Sequence, residues 1–514
     1  MQQIRTLCMR SFIGLVLGFA SLNIAQAQTL HETVKLLASD AESDDFLGRS
    51  VAIDGGTAVI GAPGDDDQGD GAGAVYIFVR SGGAWVQQQK LTASDGESGD
   101  GFGSAMALYE NTLIIGAPYA NDMGEDSGSA YVFRRDARDI WSLKQKLTSS
   151  DAEAWDEFGI SVAVEGDVLV IGAFGDDAYA GSAYVFNYQG TTWSEQQKLV
   201  AGSRESLEFY GVSVAIDENF VAVGAYLDYY LNGLAGSVYV YGFDGDIWTE
   251  QQRLTPSNGW YDDLFGSAID LDAGNLVVGA PYDNASAECT GAAYLFTRYE
   301  QVWSQQQKLV ASDCNYGDEF GNAVAVDGDR IAIGNTADDD AGEDSGSAYL
   351  FIKSNGVWQE QMKLLASDGL TDDRLGVSVA VSDSTVLVGA PGFDSSQSGN
   401  IGAAYLFDAE CGGDFCIRDA SWSYKNRDTG WGFLDITGFS PYTNERITII
   451  NGVTGEQVFR IRSKPDGTFM TTARRGMFDD SVPCSVQAVV DADASNVRVV
   501  SNAPEDCIGQ LSVD

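Results

Sequence analysis

Carboxylates dominate the side chains of this sequence that could do chemistry. The chain holds 75 Asp and Glu against 30 Lys and Arg, a formal net charge of −45, with one histidine, His31, and seven cysteines. The acids come in short runs. One set comprises Asp40, Glu42, Asp44 and Asp45; Asp95, Glu97 and Asp100; Asp151, Glu153, Asp156 and Glu157; and Asp313, Asp318 and Glu319. The other comprises Asp65, Asp66, Asp67 and Asp70; Asp122, Glu125 and Asp126; and Asp338, Asp339, Asp340, Glu343 and Asp344. Hard oxygen donors at this density suit a hard divalent cation, Ca²⁺ above all. The candidate ligands are Asp65, Asp67, Asp70, Asp95, Glu97, Asp100, Asp338, Asp340 and Asp344. The same runs read equally as a solvated acidic rim that keeps the protein soluble.

Other chemistry has less to work with. A single histidine removes most catalytic triads, there is no Cys–His pair, and no Gly-x-Ser-x-Gly elbow is present. Paired carboxylates leave a carbohydrate-active enzyme open as an alternative. Acids that recur along the whole chain look more like surface than like one active site, so no catalytic residue is assigned. The negative charge argues against nucleic acid and anionic membranes as partners.

A repeat must position these acids. Lys-Leu or Arg-Leu pairs begin at Lys35, Lys90, Lys146, Lys198, Arg253, Lys308 and Lys363, at intervals of 52 to 56 residues. A fixed period of that size marks a repeat architecture. Thirteen residues after each pair stands a glycine: Gly48, Gly103, Gly159, Gly211, Gly266, Gly321 and Gly376. Thirteen further on stands a second: Gly61, Gly116, Gly172, Gly224, Gly279, Gly334 and Gly389. Length varies almost entirely between the second glycine and the next tyrosine (Tyr76, Tyr131, Tyr184, Tyr239, Tyr294, Tyr349 and Tyr405), which marks an exposed loop there.

Each unit reads as four strands. In the third they are 161–164, 168–171, 182–186 and 193–199, punctuated by Gly and Asp, with no room for a ten-residue helix. Pairs such as Asp54-Gly55, Glu165-Gly166 and Asp327-Gly328 join the first strand to the second by a tight turn. Seven such meanders predict an all-β, seven-bladed β-propeller over residues 28–408. The segment Leu30–Leu37 matches an outer strand without a blade before it, and 405–407 ends a blade without one after it. Leu30–Leu37 is therefore expected to complete the blade of residues 375–407 and close the ring. Tryptophans at 85, 141, 193, 248, 303 and 358, one per unit, are expected to pack between blades.

The Phe-Gly pairs (Phe102-Gly103, Phe158-Gly159, Phe265-Gly266, Phe320-Gly321) and the Gly-Ala-Pro segments at 61–63, 116–118, 279–281 and 389–391 resemble the FG-GAP repeats of integrin α-subunit propellers and their bacterial relatives. The resemblance spans roughly residues 29–408 and implies the same propeller. It implies calcium loops of Asp-x-Asp-x-Asp-Gly type between the first and second strands. Here that connection is a turn such as Asp327-Gly328, too short to wrap an ion, so none of those sites carries over. The acids lie instead in the connections between strands two and three and between strand four and the next blade. Both emerge on one side of the disc, the side that binds ligands in the family.

The flanks differ. Arg5 and Arg10 precede an apolar run, Phe12 to Leu22, and Ala25-Gln26-Ala27, which reads as a signal peptide over residues 1–27. A secreted protein, extracellular or periplasmic, is expected. The cysteines beyond Cys8 are six, an even number that suits an oxidising compartment. Shared faces predict Cys289–Cys314, leaving Cys411–Cys416 and Cys484–Cys507. Residues 411–514 lack the repeat and show seven strand-like segments, the pattern of a small Ig-like β-sandwich. The expectation is a monomeric, non-enzymatic binding or adhesion protein without a membrane span, recognising an extracellular protein or glycan with or without Ca²⁺. A carbohydrate-active enzyme and a structural envelope or matrix protein are the alternatives.

Overall fold

The computed structural model describes residues 28–202, 207–230, 233–260, 262–284, 289–394 and 399–408, together with the strands between 416 and 513. Seven blades of four antiparallel strands follow one another at 50–91, 105–147, 161–199, 210–254, 269–309, 320–365 and 378–408, the last completed by Val34–Leu36 and the sixth extended by a fifth strand, Gln28–His31. The chain is a seven-bladed β-propeller. Second strands such as Thr57–Ala62 are buried along their whole length, because neighbouring blades cover both faces. That is why they read as continuous β-branched runs rather than alternating ones. Pairing of Asp54 with Thr57 leaves the two-residue turn that the sequence pattern requires. Among the described residues the only helical turn is Asp176–Tyr179, in the shortest of the loops that precede the tyrosines.

The core is split into seven clusters, one between each pair of consecutive blades. Val59, Val75 and Ile77 of the first blade meet Leu113, Ile115 and Tyr131 of the second, for example. Leu36 and Leu406 of the last blade meet Ile60 and Tyr76 of the first, so the ring closes. Trp141, Trp193, Trp248, Trp303 and Trp358 each sit in one of these interfaces, as expected of them.

Closure corrects one expectation. Val34, Lys35 and Leu36 pair with Leu406, Tyr405 and Ala404, but Leu30 does not belong to that ladder. The segment Gln28–His31 runs parallel to the outer strand of the sixth blade instead, with Leu30 beside Leu364. That seam also differs in one side chain. In five blades the glutamine before the Lys or Arg clamps the main chain of the next blade's tryptophan. Gln89 Nε2 donates to Trp141 O at 2.9 Å, and Trp141 N–H donates to Gln89 Oε1 at 3.1 Å. Gln145, Gln197, Gln252 and Gln307 do the same. The sixth blade has Met362 there, which can neither donate nor accept as an amide does. A main-chain ladder takes over that seam.

Near the axis the blades touch backbone to backbone. A Cβ on Gly116 would fall 1.9 Å from the carbonyl oxygen of Gly159, and one on Gly389 would fall 2.0 Å from that of Gly48. The same contact recurs between every second-strand glycine and the Phe-Gly-type glycine of the next blade.

Beyond the propeller, the segments read as strands are strands, joined by Leu511–Val513. They pair into a three-stranded and a five-stranded sheet. How those sheets pack, and hence the sandwich itself, lies outside the described residues, as do the leader at 1–27 and the Cys411–Cys416 and Cys484–Cys507 pairings.

The glycine contact sets a first prediction. Gly116→Ala forces main chain from two blades apart and should cost about 3 kcal/mol or more, as overpacking at an unyielding site does. Gly56→Ala, whose Cβ meets nothing closer than 3.7 Å, should stay within about 0.5 kcal/mol of the parent in urea denaturation. Equal effects of the two substitutions would remove the constraint.

Candidate functional site

Both acidic loop sets do leave one face of the disc. Cys289, in the loop between strands two and three of the fifth blade, is bonded to Cys314, in the loop after that blade's outer strand, with Cα atoms 5.2 Å apart. The carboxylates on this face surround lysines. Tyr76 and Lys90 are directly opposed in the ladder between third and fourth strands. Lys90 Nζ lies 2.7 Å from Asp65, 2.6 Å from Asp67 and 3.0 Å from Asp40. The Tyr76 hydroxyl donates to Asp65 at 2.7 Å, and the ammonium lies 5.2 Å from the Tyr76 ring centre.

This Lys–Tyr–Asp clamp recurs in every blade. Lys146 holds Asp95 and Asp122, Lys198 holds Asp151 and Asp176, Arg253 holds Asp228, and Lys308 holds Asp283. Lys363 Nζ reaches Asp313 at 2.9 Å and both Asp338 and Asp340 at 2.7 Å. In the last blade Phe393 stands where Asp65 stands in the first. Lys35 there lies over the Phe393 ring at 3.8 Å while pairing with Asp368.

The nine residues singled out as calcium ligands are thereby distributed. Asp65 and Asp67 face Lys90, Asp95 faces Lys146, and Asp338 and Asp340 face Lys363. Asp100 accepts the main-chain N–H of Glu97 at 2.9 Å, and the Glu97 side chain is exposed. Asp70 is exposed, and Asp344 is half-buried at the rim of the depression described below. Ca²⁺ needs six to eight converging oxygens. Among the described residues no three His, Cys, Asp or Glu converge in that way, and the donor set as arranged around the ammonium groups does not fit the ion.

A second ring of acids lies beneath the clamps. Asp45, Asp156, Asp263 and Asp373 are buried, and each accepts the main-chain N–H three residues earlier, from Glu42, Glu153, Trp260 and Leu370. Burial pushes each of these carboxyls up to about 6, and negative neighbours such as Asp65, Asp176 and Asp283 add to it. Asp100 and Asp318 shift the same way for the same reason. Asp40, Asp95, Asp151 and Asp313 move in the opposite direction. Burial alone would raise them, but hydrogen bonds from the clamp lysines and tyrosines hold them below the usual range.

On this face the loops of the sixth, seventh and first blades enclose a depression of about 920 Å³, lined by Phe46, Arg49, Glu319, Asn322, Thr336 and Arg374 among others. Glu319 accepts hydroxyl hydrogen bonds from Tyr282 at 3.1 Å and Thr336 at 3.0 Å. Reading the acids alone missed both this depression and the clamp. The Lys/Arg-Leu pair served as a marker of the repeat, and its nearly constant offset from the preceding tyrosine, 14 residues in five blades and 15 in the second, was the signal that it has a partner.

The FG-GAP repeat model matches residues 30–78, 85–133, 141–186, 193–241, 248–296, 303–351 and 358–407, more than half of the chain. Each match begins on one blade's outer strand and ends on the third strand of the next. That offset is what lets the N-terminal strand close the last blade. Integrin alpha-2 of Mus musculus is 27% identical over 203 residues, covering 34% of this chain and 16% of the integrin, so the chain spans well under two thirds of that relative's length.

Two outcomes test the site's electrostatics. Lys363→Met leaves Asp338, itself 2% exposed, buried without its countercharge, and should destabilise by roughly 3–5 kcal/mol. Adding Asp338→Asn should restore part of that loss. Were the single variant as stable as the parent in denaturant titration, the clamp would be a surface pair of little weight.

The buried ring sets a pH dependence. A carboxyl whose folded value exceeds its unfolded value of about 3.9 contributes stability that is complete below the latter. That stability is lost as pH rises through about 6. The lysine-held aspartates contribute above about 4 and are lost below it. Tm at fixed ionic strength should therefore fall between about pH 5 and pH 7.5, and Asp263→Asn should shallow the fall. A Tm that is flat or rising over that window contradicts the assignment.

Proposed function

Because the chain belongs to the FG-GAP repeat family, we propose that it is a secreted, non-enzymatic binding or adhesion protein. Its carboxylate-rich face, with the depression among the loops of three blades, recognises an extracellular protein or glycan. The observation that carries this reading is the depression itself. It is concave, and its lining residues differ from blade to blade where the clamps and glycines repeat. Ligand sites are typically concavities with a few convergent polar groups, held by a scaffold that does not move. The likeness to an integrin α subunit favours binding over catalysis. The Cys289–Cys314 bond supports an oxidising compartment, and among the described residues no helix is long and apolar enough to cross a membrane.

The full chain, labelled, would be applied to arrays of glycans and extracellular-matrix proteins with and without chelator. Asn322→Trp, which fills the depression, should weaken capture at least tenfold, and Asp329→Ala, in a turn on the opposite face, should leave it unchanged. Capture lost with chelator would assign Ca²⁺ a bridging role between face and ligand, and capture indifferent to it would make the contact direct. Release of new reducing ends from a polysaccharide would overturn the non-enzymatic reading. Capture insensitive to Asn322→Trp would move the site elsewhere.

A further inference from the structure

We propose that Asn258 is a self-modification site. Its carboxamide is exchanged for a carboxylate by attack of the Gly259 main-chain nitrogen followed by water, and the product completes the clamp of the fifth blade.

The repeat singles this residue out. Five residues after the Lys or Arg of each unit stand Asp40, Asp95, Asp151, Ser203, Asn258, Asp313 and Asp368. Each of the five aspartates binds a clamp ammonium, at 3.0 Å from Lys90, 2.7 Å from Lys146, 2.7 Å from Lys198, 2.9 Å from Lys363 and 2.5 Å from Lys35. Asn258 takes the same place in the fifth blade. The Tyr294 hydroxyl donates to its Oδ1 at 3.0 Å, as the equivalent hydroxyls do to Asp95 at 3.2 Å, Asp151 at 2.9 Å and Asp313 at 2.7 Å. An amide, though, has one accepting oxygen where a carboxylate has two. Among the described residues Lys308 pairs with Asp283 alone, whereas Lys90, Lys146, Lys198 and Lys363 each hold two carboxylates or more.

The local chain permits the reaction. Glycine follows Asn258, so no side chain hinders the approach of the main-chain nitrogen to the carboxamide carbon. Asn258 is exposed and lies outside any strand, and the Gly259 N–H is held by a long hydrogen bond, 3.4 Å to Pro256 O. The nitrogen attacks Asn258 Cγ and gives up its proton, and the Nδ2 group leaves as ammonia. Water then opens the five-membered imide. Cleavage between Cγ and the nitrogen restores the original main chain and leaves an aspartate side chain. Cleavage at the other carbonyl routes the main chain through Cγ. In both, one amide and one water become one carboxylate and one ammonium, and nothing is oxidised or reduced. The aspartate gives Lys308 the second partner that its counterparts have. It also ties the loop before the fifth blade, which carries the exposed Trp260, to the outer strand.

The chain carries its own control. Asn-Gly occurs at 232, 258, 355 and 451, and the pairs at 258 and 355 both follow a serine. Asn355 and Gly356 form a tight hairpin turn between the paired Ser354 and Val357, with φ of 52° at Asn355. The freshly purified full chain would be held at mildly alkaline pH, and the peptides containing each asparagine followed by mass spectrometry. Because Asn355 must first open its turn, Asn258 should gain the mass difference between OH and NH₂ roughly tenfold faster. In guanidinium, where both segments are unfolded, the two rates should converge. Asn258→Asp should melt above the fresh parent, and Asn258→Gln should keep its Tm on storage. An Asn258 that stays an amide, or converts no faster than Asn355 in the folded chain, overturns the proposal. An Asn258→Asp variant that melts no higher than the parent overturns the role in the clamp.

Discussion

The contact on which the rest depends is main chain against main chain between neighbouring blades. Gly116 meets Gly159, Gly389 meets Gly48, and each of the other seams has the same pair, with no room for even a methyl group. Seven sheets can stand this close to one axis only if both partners lack a side chain. The thirteen-residue spacings follow from that requirement, because a residue gained between the two glycines would move one of them off the seam. Length varies mostly outside this frame, in the loop between the second and third strands.

Those loops are anchored from within. The outer strand's Lys or Arg, opposite the third strand's Tyr, gathers carboxylates from the loop before the third strand and from the loop that precedes the blade. Beneath it a buried aspartate ties down a loop amide. The loops are thus held by the chain's own side chains, which suits a surface that must present a fixed shape to a ligand. Its overall charge is strongly negative, yet at each clamp the positive charge is internal and satisfied.

Much of this was legible from sequence because it is periodic. The Phe-Gly and Gly-Ala-Pro spacing specified blades, turns and the shared face, and the shared face in turn paired Cys289 with Cys314. What escaped notice was contact chemistry between residues far apart in the chain. A run of aspartates such as Asp65 to Asp67 looks the same in sequence whether it awaits an ion or surrounds Lys90. Leu30 was assigned to the wrong ladder because its register fits an outer strand. The register with Leu364 depends on contacts between residues more than three hundred positions apart, which no local pattern shows. The depression was invisible because its lining comes from three blades and lacks a common motif.

The central claim is that the acidic face is organised by its own lysines and buried aspartates. Native-state hydrogen exchange in the presence of chelator tests it most directly. The amides of Glu42, Glu97, Glu153, Trp260, Asn315 and Leu370, each donating to an aspartate three residues later, are predicted to exchange nearly as slowly as strand amides. Exchange at free-loop rates, slowed only when Ca²⁺ is added, would contradict it.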